Sequence, residues 1–160
     1  MHHATLCYLI KENKLLLGLK KRGFGEGRWN GYGGKVKEGE SIEESLVREV
    51  NEEMNVVITK EALKKAAVID FFFTNPPKGK NWDQTVHVFV AKEWKGMPEE
   101  TEEMKPKWFD FDKVPINKMW EDDPHWLPHV IKGKKVKAAF TFGKDNSSIL
   151  KKNVDVVDDL

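Results

Sequence analysis

The chain has little cysteine. Cys7 stands alone, so no internal disulfide framework can staple the fold, which fits a reducing compartment. It lies in the apolar run ATLCYLI and reads as a packing residue. Long apolar runs are missing too: none approaches the ~18 residues a membrane-spanning helix needs. The opening MHHATLCYLIKENK has neither the basic start nor the apolar stretch of a secretory leader. There is no excess of either charge, since 27 Lys plus Arg face 26 Asp plus Glu. No global field therefore steers the protein to nucleic acid or to a membrane surface, and any polyanion must be held by a local arrangement. Repeats, low-complexity tracts and linkers are also absent. These absences predict a soluble, cytoplasmic protein, with entry to the nucleus or an organelle left open. They predict a monomer of one domain spanning residues 1–160.

What is present is a run of short apolar segments and one amphipathic helix. ATLCYLI (4–10) and KLLLGLK (14–20) predict two strands joined by a tight turn at KEN. KRGFGEGRWNGYGGK (21–35) carries too much glycine for a regular helix and reads as a loop. Further strands are predicted at 66–73, 85–94, 107–111 and 136–142, with an edge strand in the tail SILKKNVDVVDDL. A second, weaker helix falls in HWLPHVIKGKK, interrupted by Pro128. Helices over a mixed sheet make this an α/β protein.

The long helix begins at Ser41, whose spacing to Glu44 is that of a capping box, and Ile42, Leu46, Val50 and Met54 mark its buried side. At ~100° per residue, with Ile42 at zero, Glu53 lies near ~20°, Glu49 near ~340° and Glu52 near ~280°. Glu53 thus points with the core residues, where a carboxylate needs a compensating partner. Arg48 carries one positive charge and can neutralise one acid at most. A divalent cation held through oxygen, magnesium with manganese as a substitute, would relieve the crowding.

Residues 34–56 read Gly34-x5-Glu40-x7-Arg48-Glu49-Val50-x-Glu52-Glu53-x-Asn55-Val56. This resembles the Nudix box, with Asn55 where the family has glycine; asparagine tolerates the left-handed end such a helix requires. The resemblance implies an α/β/α sandwich with a mixed β-sheet and a loop–helix–loop catalytic motif. It also implies hydrolysis of a nucleoside diphosphate linked to another group. Glu52 and Glu53 are then the primary metal ligands, Glu49 a ligand or the base that orients water, and the Gly33 carbonyl a further ligand. Glu40 and Arg48 brace the loop. Lys35 contacts phosphate or steadies a ligand carboxylate, and Glu103 matches an acidic metal position outside the box.

The segments 18–36, 86–89 and 102–128 resemble the animal-type 8-oxo-dGTP diphosphatases within that family. By that resemblance the substrate is a purine nucleoside triphosphate. Trp120 stacks on the base, while Asp122 and Asp123, adjacent carboxyls beside aromatic groups, share a proton and read its edge. Taken alone, Trp120 would be core and the acidic run a solvated turn. Asn30 should bond the base, and Thr5 and Lys20 should line the pocket. Phe24, Phe71, Met104, Trp126 and Phe142 should wall it, with Tyr32, Gly33, Gly34 and Lys35 completing the substrate-binding set. Two departures bear on preference. The loop NPPKGKNWDQ (75–84) is about two residues longer than the family's and carries Trp82, and Glu121 replaces a proline, loosening its segment. Other Nudix substrates (a methylated purine nucleotide, a dinucleoside polyphosphate, ADP-ribose) and an idle nucleotide sensor remain the competing readings.

Overall fold

The structure, a computed structural model, describes residues 1–160. Eight strands form the sheet: β1 His2–Lys11, β2 Lys14–Lys20, β3 Trp29–Asn30, β4 Lys64–Phe73, β5 Gln84–Ala91, β6 Met104–Asp110, β7 Lys135–Phe142 and β8 Ile149–Val157. Two helices accompany them, α1 Ile42–Met54 and α2 Asp123–Ile131. The main path runs β3-β2-β1-β5-β4-β7-β8, with β6 pairing β2. β1–β5 and β4–β7 are parallel and the remaining pairs antiparallel, so the sheet is mixed. β1 and β2 share only the two pairs beside their turn, Ile10 with Leu15 and Lys11 with Lys14. Beyond that turn β2 swings away to pair with β3 and β6.

Alternation along β1 divides the core. Cys7 and Leu9 join Leu46, Val50 and Met54 of α1, whereas Tyr8 faces Trp126, Leu127 and Val130 of α2. One helix therefore covers each face, which makes the expected α/β/α sandwich. Burial pushes the Cys7 thiol up to about 12, leaving it inert as a nucleophile at neutral pH.

Most predicted elements are found, with shifted ends. The KEN turn places Glu12 and Asn13 at positive φ, as a two-residue hairpin turn requires. The long glycine loop contains β3, too short to leave a periodic signal. β5 stops at Ala91, short of the predicted 94, and β6 starts at Met104 rather than 107 because it follows β2 throughout. α2 spans 123–131 instead of 125–135. Its Pro124 sits in the first turn, where the missing N–H is an orphan anyway, and Gly133 at φ 82° follows its end. The tail supplies edge strand β8.

α1 is held at both ends. Ser41 accepts from the Glu44 amide while Glu44 accepts from the Ser41 amide, the full capping box. Asn55 ends the helix left-handed at φ 57°, its N–H donating to the Asn51 carbonyl. Ser41→Ala is expected to lower stability by about 1 kcal/mol, seen as a fall of about 2–4 °C in the thermal unfolding midpoint.

Candidate active site

β1 hydrogen-bonds β5 along one edge, and beyond the hairpin its other edge is free of β2. The loop before α1 fills that edge. Cys7 and Tyr32 exchange backbone hydrogen bonds, the Thr5 amide donates to the Gly34 carbonyl at 2.9 Å, and the Val36 amide donates to His3. This docking explains both glycines. A Cβ on Gly33 would collide with the Thr5 carbonyl, and one on Gly34 would lie 2.6–2.8 Å from the Glu49 carboxylate atoms. The carbonyls of Tyr32 and Gly34 are taken by β1, and that of Gly33, between them, makes no hydrogen bond.

Against this loop stands the acidic end of α1. Glu53 is turned inward, as its wheel position predicts, and accepts from the Gly33 amide at 3.1 Å. Burial, reinforced by Glu49, pushes its carboxyl up to about 8 in the absence of a cation. Glu49 and Glu52 bond Arg48 at 3.0 and 3.2 Å, and Arg48 also grips Glu40 through two nitrogens at 2.6 and 2.9 Å. One guanidinium thus touches three carboxylates, though its single charge still offsets only one. Its further bond to the Lys35 carbonyl, with the Glu40 pair, ties α1 to the loop before it. Across the cleft Glu103 is held by Arg22 and Lys20.

Glu49, Glu52, Glu53, Glu103 and Gly33 therefore line one cleft of about 490 Å³ together with Lys20 and Arg22. As the side chains stand, no three of the acids converge into a preformed cage. The physical reason is that Arg48 draws Glu49 and Glu52 aside while Arg22 holds Glu103. The residues nonetheless fit a hard divalent cation. The donors are all oxygen, one carboxylate is buried with its charge uncompensated, and a glycine carbonyl is free beside it. The Lys35 side chain is exposed and makes no bond.

A second hollow of about 460 Å³ adjoins the first, and Gly33 and Lys20 line both. Of the predicted substrate-binding set it brings together Thr5, Lys20, Phe24, Asn30, Gly33, Gly34, Lys35, Phe71, Trp120, Asp122, Asp123, Trp126 and Phe142. Tyr32 and Met104 do not line it. Both are buried in the core beneath α1, packed around the point where a Cβ on Gly18 would fall, so the expectation that they line the pocket is corrected. Their alternation in loop and strand turns them to the other face of the sheet. Larger hollows of about 860 and 950 Å³ lie elsewhere and gather neither carboxylate cluster nor glycine loop.

Phe71, Phe73 and Phe142 form one wall, with Phe71 and Phe142 stacked at 5.8 Å. Trp120 packs on Phe24 at 5.1 Å, and the Arg28 guanidinium sits 4.0 Å from its ring centre. The segment with Glu121 is pinned despite the lost proline, because Asp123 accepts from the Trp120 amide at 3.0 Å. Asp122 accepts from the buried Trp126 indole at 2.9 Å. Both Asp carboxyls are almost wholly buried at the start of α2, and desolvation with their mutual repulsion holds them above the usual range. The long 75–84 loop does reach the pocket: Trp82 packs against Phe24 at 5.8 Å and Phe73 at 5.7 Å.

Sequence reasoning missed Ala4, Leu6, Ile69, Phe73, Gln84, Val86 and Asn146 among the lining residues. Ile69 and Phe73 were legible, since they share a strand face with Phe71 at a spacing of two. Asn146 left no local signal, because a loop brings it to the pocket, and the same holds for Arg28 over the Trp120 ring.

A mixed sheet between two helices, with an acidic helix end docked on a glycine loop, places the chain among the α/β/α sandwich proteins. The NUDIX domain family matches residues 1–130, and the chain belongs to that family. Along 98% of its length the chain is 41% identical to the oxidized purine nucleoside triphosphate hydrolase of Danio rerio, covering 96% of that protein. It is 42% identical to the enzyme of the same name in Mus musculus, over 96% of this chain and 94% of that one. Among solved structures, the MutT protein from Bacillus halodurans superposes with a TM-score of 0.81 at 25% identity, over 97% of this chain and 98% of that one. Nudix hydrolases generally use divalent metal ions. A bifunctional NMN adenylyltransferase/ADP ribose pyrophosphatase from Francisella tularensis was solved with AMP and a manganese ion; it has a TM-score of 0.57 at 22% identity, over 82% of this chain and 41% of that one. No helix of this chain is long and apolar enough to cross a membrane.

The aspartate pair has a measurable signature. The folded state keeps a proton that the unfolded chain releases above about pH 4. Stability should therefore fall as pH rises from about 4 through the raised folded-state range, with Glu53 adding a fall of the same sign. Denaturant titrations between pH 4.5 and 8, in chelator, should show a shallower decline for Asp123→Asn.

Proposed function

We propose that the chain, acting as a monomeric, cytoplasmic Nudix domain over residues 1–160, hydrolyses oxidised purine nucleoside triphosphates of the 8-oxo-dGTP and 2-oxo-dATP class to monophosphate and pyrophosphate. The observation that carries this reading is the junction of the two hollows at Gly33 and Lys20. A base seated against Trp120, Asp122 and Asp123 leads its phosphate chain over that junction toward Glu49, Glu52 and Glu53. The names of the fish and mouse relatives agree with the base assigned.

Magnesium, or manganese in its place, supplies charge neutralisation of the pyrophosphate when bound, held by Glu52, Glu53, the Gly33 carbonyl and, from the opposite wall, Glu103. The chain's own residues do the rest. Lys20, at the junction, faces the phosphate chain. Glu49 is a further ligand or orients the attacking water. Lys35, free at the loop, meets phosphate. Water adds to one phosphorus of the α–β anhydride and the bridging P–O bond breaks. The water oxygen stays on one product and the bridging oxygen on the other, giving nucleoside monophosphate and pyrophosphate, with the water's proton lost to solvent. Trp120 stacks on the base, a contact worth about 1–3 kcal/mol in comparable sites. The aspartate pair, sharing a proton, donates to one atom of the base edge and accepts from another, and can exchange these roles for a different purine.

Pyrophosphate release measured over dGTP, 8-oxo-dGTP, 2-oxo-dATP, a methylated dGTP and ADP-ribose tests the reading. Wild type should favour the oxidised triphosphates in kcat/KM, with turnover lost in chelator. Glu53→Gln should lower kcat by about a hundredfold or more while unfolding at an unchanged or higher temperature. Faster cleavage of ADP-ribose, or full activity in Glu53→Gln, sinks it.

A further inference from the structure

Two cationic side chains line the acidic cleft, Lys20 and Arg22; Lys20 also lines the base hollow and Arg22 does not. The Arg22 guanidinium is turned onto Glu103. It donates to one carboxylate oxygen through Nε at 2.9 Å and Nη2 at 2.7 Å, and its Nη1 lies 3.4 Å from Glu102. The contact is open to water, with the Arg22 side chain 57% exposed and that of Glu103 43%. Water and salt screen such a pair, so it opens at little cost. The backbone beneath it is fixed by other bonds. β2 and β6 stay paired as far as Lys20 and Met104, and the Lys21 amide donates to the Glu103 carbonyl at 2.8 Å. The Lys21 side chain reaches Glu100 at 2.6 Å and the Thr101 carbonyl at 2.9 Å, and the Thr101 hydroxyl accepts from the Glu103 and Met104 amides. Letting go of Glu103 therefore frees the guanidinium while both segments stay at the cleft.

We propose that Arg22 is a phosphate-binding residue held in reserve: the cation that gathers Glu103 displaces it, and it passes to the distal phosphates of the substrate. A carboxylate that gives its charge to a divalent cation holds an arginine less firmly. A phosphate chain sharing that cation brings its oxygens beside Glu103, within reach of the side chain that has just left it. The guanidinium fork suits two phosphate oxygens as well as it suits a carboxylate. Lys20, at the junction, serves the phosphate nearer the base. Arg22, which lines only the cleft, serves the far end that leaves as pyrophosphate. The assignment rests on reading the cleft as the place where cation and phosphate chain meet. It makes Arg22 a competitor of the cation when no nucleotide is present and a partner of the nucleotide when one is.

These two roles have opposite signs, so one substitution tests both. Manganese binding to the full chain without nucleotide is measured from the electron paramagnetic resonance signal of the free ion. Binding of inorganic pyrophosphate in excess magnesium is measured by calorimetry. Arg22→Gln should bind manganese about threefold tighter, since an exposed ion pair no longer competes. It should bind pyrophosphate about tenfold more weakly. Arg22→Lys, which keeps the charge and loses the fork, should recover part of the pyrophosphate affinity. Lys21→Gln, an equal change of charge on the neighbouring residue, should leave both affinities near the wild-type values. Unchanged manganese affinity in Arg22→Gln, an equal gain in Lys21→Gln, or full pyrophosphate affinity in Arg22→Gln overturns the assignment alone. A manganese affinity that Glu53→Gln does not weaken overturns the cleft reading and takes this assignment with it.

Discussion

The carboxylate of Glu53, turned under the sheet edge onto the amide of Gly33, is the contact on which the site depends. A helix end bearing Glu49, Glu52 and Glu53 repels itself, and burial makes the repulsion worse for the innermost acid. One backbone N–H and one shared guanidinium partly relieve it. The rest of the imbalance is what a divalent cation would relieve. It also dictates the sequence around it. Gly33 is bare because the loop must press on Thr5, Gly34 is bare because Glu49 lies where its Cβ would be, and Arg48 must reach three acids from one helix turn. Because Arg48 and Arg22 now hold the acids that a cation would collect, ion binding and release of these pairs are one event. A metal-bound phosphate chain, which brings cation and anion together, would answer both sets of groups.

That contact can exist only because of how β1 is used. Its two faces feed the two cores and its two edges are both occupied, one by β5 and the other by the loop before α1. The acids lie on the side covered by α1, whereas Ile69, Phe71, Val86, Trp126 and Phe142 belong to the core on the side of α2. The acidic cleft and the aromatic hollow thus sit on opposite faces of one sheet and meet where the loop crosses its edge.

The α1 motif was the most legible part of the chain. Capping box, buried stripe, inward Glu53 and left-handed Asn55 all follow from spacing within one helix, where geometry is nearly fixed by sequence. Strands were legible by alternation, and their ends were not. β6 extends to Met104 because β2 supplies partners that far, a fact held in another segment of the chain. Tyr32 and Met104 were misplaced for a related reason. Resemblance put them near the site, but one residue of alternation decides which face each occupies, and both went to the core under α1. Phe73 could have been added from its spacing to Phe71. Asn146 and Arg28 could not, since their positions depend on where loops return in three dimensions.

The aromatic rim shows how the 75–84 loop acts on this frame. Phe24 is 70% exposed although it touches both Trp82 and Trp120, and glycines at positive φ stand at 23 and 25 on either side of it. A large ring left in water on a backbone of that freedom loses little by moving, and it gains when a flat ligand covers it, at about 25 cal/mol for each Å² of apolar surface removed from water. Trp82 adds a ring on the side facing Phe73, so the longer loop widens the apolar rim instead of closing it. Stacking of this kind is tolerant, because every base has a π-face. The rigid polar atoms beneath the rim are those of the aspartate pair, which accept from the Trp120 amide and the Trp126 indole. The apolar rim and the fixed polar floor of the hollow are thus built from different residues.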